Sequence, residues 1–246
     1  MVFSTTRNPF YKAVKKAESS ESAASYGGIV AKCAWFWVLC FAGVAAYFFL
    51  PKGIISGPTL IALVIAALFC PFLTYWFPSL TPVTGPIYSV LQGFAVAFIC
   101  TQYAKEYAGL VYIAVGITAL VFFIVLFLYS SGMIKLNQKF RGVVLALFLA
   151  SIAGSVIFFI SSFFTTALTS VFLGNGPIAI IVSVISLLFS VLNLIFEFDF
   201  ATRLVKNRLH KKYEWTTAFG LFMTVIIIFL KVFELLAMLI DKKESR

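Results

Sequence analysis

Long apolar runs separated by short polar breaks dominate this 246-residue chain. The first runs from Cys33 to Leu50 and stops at Pro51-Lys52-Gly53. A second covers Pro58 to Phe77 and ends in PSLTPVTGP, whose prolines are expected to stop a helix. The third runs from Ile87 to Tyr103 and the fourth from Gly109 to Tyr129. A basic connection, SSGMIKLNQKFRG, leads to the fifth at Val143–Phe164. The sixth runs from Ile178 to Phe200 and the seventh from Thr216 to Ile240. Each run is about 17–25 residues long, enough to cross a hydrocarbon core of about 30 Å. They are continuously apolar rather than alternating, so helices are expected and not the strands of a barrel. The pattern predicts an all-α integral membrane protein, a bundle of seven transmembrane helices over residues 32–241. A polar tail, residues 1–31, precedes it, and a short tail, 242–246, follows.

Composition agrees with that pattern. The chain is 62% hydrophobic and 11% charged, where soluble domains carry about 25% charged residues. A net charge of +10 raises the question of nucleic acid. Most Lys and Arg, however, lie between apolar runs, where they act as topology signals, so no nucleic-acid partner is expected. Placing the N-terminus inside leaves thirteen Lys and Arg on inner segments against five on outer ones. That predicts a cytoplasmic N-terminus and, after seven crossings, an outer C-terminus. No apolar stretch follows the start directly, so no cleaved signal peptide is expected. The NGP turn at 175–177 reads as an outer turn. ATRLVKNRLHKK, with five basic residues, is expected to lie against anionic headgroups. Cys33, Cys40, Cys70 and Cys100 all fall inside apolar runs without a CxxC pair, as buried free thiols would.

Candidate chemistry is sparse. Four strongly ionisable residues lie in or against the apolar runs: Glu197, Asp199, Lys231 and Glu234. Such groups are costly in hydrocarbon and mark pathways or ion pairs. On a helix, Glu197 and Asp199 point about 200° apart, while Lys231 and Glu234 share a face. Folding the last two spans about Trp215 brings Asp199 level with Lys231, provided the sixth helix continues past Phe200. The pair reads either as a lock between two helices or as a protonation-sensitive gate. Gln92, Gln102 and Asn193 are secondary polar candidates for interhelical hydrogen bonds. Small residues, Gly43, Ala45 and Ala46 in the first span and Ala150 to Ser155 in the fifth, suit close helix packing. His210 stands alone in a basic connection. There is no Ser-His-Asp set, no HExxH and no phosphate-binding glycine loop, so no enzyme, metal or cofactor is expected.

FEFDFATRLV, followed by KKYEWTTAFGLFMTVIIIFLKVFELLAML, resembles the end of the Bax inhibitor-1/YccA family, in particular its bacterial branch. RNPFYKAV, YGGIVAKC, YSVLQGFAVAF and YSSGMIKLNQKFRGVV extend the resemblance over nearly the whole chain. It implies a seven-helix bundle with the last helix near the centre, in a bacterial inner membrane. It also implies a pH-sensitive calcium leak controlled by two acids facing each other from the sixth and seventh spans. Relatives of this kind are linked to stress protection and to modulating a membrane-bound protease. The sixth-span acid falls on Asp199, with Glu197 its acidic neighbour. The seventh-span acid falls on Lys231, with Glu234 one turn on, and a third-span Glu falls on Gln92. Calcium wants several oxygen ligands, so a lysine is a poor neighbour for it. Two expectations follow: a pH-gated cation leak or small transporter, for calcium or protons, with Asp199, Glu197, Glu234 and Lys231 along its path, or a non-conducting regulator bound to a membrane protease or another membrane partner.

Overall fold

A computed structural model describes residues 23–49, 70–71, 73–74, 76–104, 109–131, 133, 142 and 177–244. Their regular structure is helical: α1 (Tyr26–Phe49), a 3₁₀ turn (Pro78–Leu80), α2 (Thr81–Ala104), α3 (Leu110–Ser130), α4 (Pro177–Lys206) and α5 (Tyr213–Glu244). All five α-helices are long and apolar enough to cross a membrane. At about 1.5 Å per residue even α3 exceeds 30 Å. They correspond to the first, third, fourth, sixth and seventh expected spans. The fifth expected span and most of the second lie outside the described residues, as do the N-terminal tail to residue 22, Ala150 to Ser155, and Asn175 and Gly176 of the NGP turn.

Helix ends depart from hydropathy in instructive ways. α1 starts at Tyr26, not at Cys33, because Ser25 caps it: the Gly28 N–H donates to Ser25 Oγ at 3.0 Å. The prolines of PSLTPVTGP end one helix but do not exclude the next. α2 already starts at Thr81 and contains Pro86. Pro82 has no N–H for the Pro78 carbonyl, and the Thr81 N–H and hydroxyl (2.8 Å) serve that oxygen instead. α4 does not stop at Phe200 but continues to Lys206. It ends in a Schellman pattern: Leu209 N–H bonds Leu204 O, Arg208 N–H bonds Val205 O, and Arg208 takes the left-handed φ of 49°. The turn between α4 and α5 is therefore Asn207–Lys212, shorter than the apolar pattern suggests.

The chain groups into two compact units, residues 1–99 with 200–222, and residues 100–199 with 223–246. In the first, α1 and α2 run in the same direction. Phe36 faces Gly85, and further along Tyr47 meets Phe94 at 5.3 Å and Phe98 at 6.3 Å. They cross where Gly43 lies on the Val90 carbonyl and Gly93 on the Cys40 carbonyl. A Cβ at either glycine would overlap main-chain oxygen, so only glycine lets the two backbones touch. Gly43 is among the small residues that suit close packing; Gly93 carries no signal by itself. The first turns of α5 fill the centre of this unit. Phe36, fully buried, packs on Trp215, Phe219 and Phe222 at 5.8–5.9 Å, and Tyr88 packs on Phe219 at 5.2 Å. Such aromatic clusters combine large area with edge-to-face attraction.

In the second unit, Phe198 of α4 packs on Phe122 and Tyr129 of α3 at 5.7 and 6.0 Å. The outer faces are strongly apolar: Phe123, Phe127, Ile185 and Leu188 are exposed, as are Phe41, Phe48 and Phe49 in the first unit. Exposed apolar surface on this scale belongs in lipid. The protein is an integral, multi-pass helical membrane protein. All four described cysteines are free; Cys40 and Cys70 are buried, Cys33 and Cys100 half-buried.

Candidate functional site

The four ionisable residues singled out from the sequence lie on α4 and α5, within the second unit. Asp199 is buried, only 5% exposed, and Glu197 is half-buried on a different face of α4. Lys231 and Glu234 form an ion pair at 2.8 Å, each side chain about a third exposed at 32% and 29%. The Ser183 hydroxyl, from α4, donates to the other Glu234 oxygen at 3.3 Å and also touches Met238 Sδ at 3.8 Å. Glu234 thus receives one bond from its own helix and one from the neighbour. That fixes a carboxylate that would otherwise be costly at this depth.

The same contact sets the register of the hairpin. With Ser183 opposite Glu234 and Met238, Lys231 comes level with about residue 188 of α4, roughly 16 Å along the axis from Asp199. Folding about Trp215 had placed Lys231 beside Asp199; that register is corrected. Its physical cause is that the turn lies at Asn207–Lys212, before α5 starts at Tyr213, and so is centred about six residues before Trp215. The structure brings Lys231 to Glu234, not to Asp199. Asn193, one turn before Glu197, and Gln92, beside the glycine crossing of α2, are both half-buried. Among the described residues no group of three His, Cys, Asp or Glu side chains is placed to hold a metal ion.

A second charged cluster is not visible in the hydropathy pattern. Glu214, in the first turn of α5, is fully buried. Its carboxylate accepts the Ser25 N–H at 2.7 Å, the Ser25 hydroxyl at 3.3 Å and the Lys32 ammonium. Gly28 leaves the room: a Cβ there would fall on the carboxylate. Lys32 also lies over the Trp215 ring at 5.3 Å. Alongside, the Ala24 N–H donates to the Leu209 carbonyl at 2.8 Å, and Ala23 bridges to His210. The start of α1 is thus fastened to the start of α5 and to the turn before it. Hydropathy hid this cluster because the apolar runs begin at Cys33 and Thr216, leaving Lys32 in the tail and Glu214 in a loop. A signal did exist. Ser25, Gly28 and Lys32 belong to SYGGIVAKC and Glu214 to KKYEW, and parts of both are blocks of the resemblance.

Comparison with curated individual proteins gives no match. The profile of the family described as Bax inhibitor 1 like matches residues 6–241, nearly the whole chain and all of the helices built above except the last three residues of α5. With its apolar helices and its paired blocks at the starts of α1 and α5, the chain belongs to the Bax inhibitor 1 like family.

Proposed function

We propose that this protein is a seven-span leak for cations, calcium or protons, in a bacterial inner membrane, opened and closed by protonation of acids on α4. Asp199 is the gate acid, and Glu197 is its neighbour on another face of the helix. The observation that carries this reading is the local pairing of Lys231 with Glu234. A lysine confronting the gate acid would repel a cation. Here the ammonium is matched one turn away on its own helix, at a different depth from Asp199, so the cation objection loses its force. No enzymatic chemistry is part of this reading.

Seven crossings are supported by direction. α1 and α2 run parallel, which calls for a return crossing between them. α3 and α4 both bring their C-terminal halves to Phe198, which calls for another between those two. The starts of α1 and α5 meet at Glu214, so the N-terminal side and the basic turn share one face, and the C-terminus lies on the other. The positive-inside rule makes the shared face cytoplasmic. Buried residues spread over most of the circumference of α5 between Glu214 and Phe222 support a central seventh helix.

The test is flux into liposomes loaded with a calcium dye and reconstituted with the purified protein, across about pH 5 to 8. The expected result is pH-dependent flux whose profile changes in Asp199→Asn. No flux at any pH overturns the leak and leaves the non-conducting regulator of a membrane protease or another membrane protein.

A further inference from the structure

We infer that the turn between α4 and α5 is a preformed docking surface for anionic lipid headgroups. Four cations, Lys206, Arg208, Lys211 and Lys212, are exposed within seven residues. None of the four forms an ion pair with a described residue. The acid nearest in sequence cannot dilute them, because Glu214 is fully buried and already holds Lys32. Among the described residues the patch therefore presents uncompensated positive charge.

Unlike a flexible polybasic tail, this patch stands on a fixed backbone. Asn207, Arg208 and Leu209 N–H groups bond Arg203, Val205 and Leu204 carbonyls. The Leu209 carbonyl accepts the Ala24 N–H, and the Lys212 N–H donates to His210 Nδ1 at 3.1 Å. Tyr213 and Glu214 N–H groups bond His210 and Lys211 carbonyls. Holding the main chain this way leaves only side-chain entropy to be lost on binding, which favours capture of a fixed anionic group.

Depth selects the partner. α4 has 30 residues, about 45 Å of helix against a hydrocarbon core of about 30 Å. Its apolar run ends at Phe200, so the last turns, with Arg203 and Lys206, are the part that emerges into the headgroup layer, and the turn follows. The groups found there are lipid phosphates. Attraction of exposed Lys and Arg to an anionic leaflet is worth roughly fivefold in affinity per residue near the surface.

The experiment uses the full chain, purified in detergent and stripped of lipid, with melting temperature and bound-lipid mass as readouts. Phosphatidylglycerol should bind and raise the melting temperature, whereas phosphatidylcholine and inorganic phosphate should not. The variant Lys206→Gln/Arg208→Asn/Lys211→Gln/Lys212→Gln should lose most of this preference. All four side chains are exposed, and Asn tolerates the left-handed φ at 208, so folding should be spared. Lys242→Gln/Lys243→Gln, at the far end of α5, lowers net charge and should keep the preference. Equal phosphatidylglycerol preference in the quadruple variant overturns the assignment. So does an equal loss in the Lys242/Lys243 control, which would mean net charge alone. An equal response to inorganic phosphate would replace the lipid surface by a free-phosphate site.

Discussion

Among the described residues, two lysine–glutamate pairs lie on α5 or against it, and they do opposite jobs. Lys32 and Glu214 are 182 residues apart in sequence, and Glu214 is fully buried with Ser25 as a further double donor. Lys231 and Glu234 are three apart on one helix and about a third exposed. The first pair closes the chain on itself: among the described residues it is the charged tie between the start of α1 and α5. The second cancels a charge where it arises, and the tie of Glu234 to α4 comes from the Ser183 hydroxyl rather than from the pair. In a chain with so few charges, depth and sequence separation say more about a pair's role than its residue types do.

The comparison breaks most readily at Glu214. Glu214→Ala strands the Lys32 ammonium and the Ser25 N–H, and should cost about 3–5 kcal/mol. In Lys32→Met/Glu214→Leu part of that loss should return, since an uncompensated buried charge costs more than an absent pair. Thermal unfolding of Lys32→Met, Glu214→Leu and the double in detergent measures the coupling. Additive losses would show that the pair is not a unit.

A smaller effect is expected at the glycine that makes room for the carboxylate. Gly28→Ala places a methyl group on the Glu214 oxygens and should destabilise by about 1–3 kcal/mol through overpacking. Gly27→Ala, one residue earlier with open space around it, is the matched control and should stabilise slightly as a better helix former. Similar losses at both positions would mean that helix propensity or lipid exposure governs the site rather than Glu214.

The smallest change is expected at the local pair. A cycle over Lys231→Met and Glu234→Gln should give a coupling of about 0.2–0.5 kcal/mol, typical of neighbours one turn apart. A coupling as large as that of Lys32 with Glu214 would remove the distinction between the two regions.

Hydropathy made the helices legible but not their ends. Continuous apolar runs located every described span because lipid demands internally satisfied backbone over about 20 residues. Their ends were decided by hydrogen bonds that hydropathy does not weigh: the Ser25 cap, the Thr81 service to Pro78, the Schellman turn at Arg208. These displacements of six or seven residues propagated. Moving the α4–α5 turn back took Lys231 away from Asp199 and handed it to Glu234. The Lys32–Glu214 cluster was invisible for a related reason: each residue counts as a loop charge until its helix is known to have begun already. Gly93 shows a third limit, because a close crossing needs two glycines on different helices and neither one reveals its partner.

The account rests on assigning control to the acid of α4 and a bystander role to the pair on α5. The most direct measurement is the pH profile of calcium-dye flux for Lys231→Met/Glu234→Met beside Asp199→Asn, in liposomes of one composition. The account predicts that the double variant keeps the wild-type profile while Asp199→Asn loses its pH dependence. A flat profile in the double variant with an unchanged one in Asp199→Asn would contradict it.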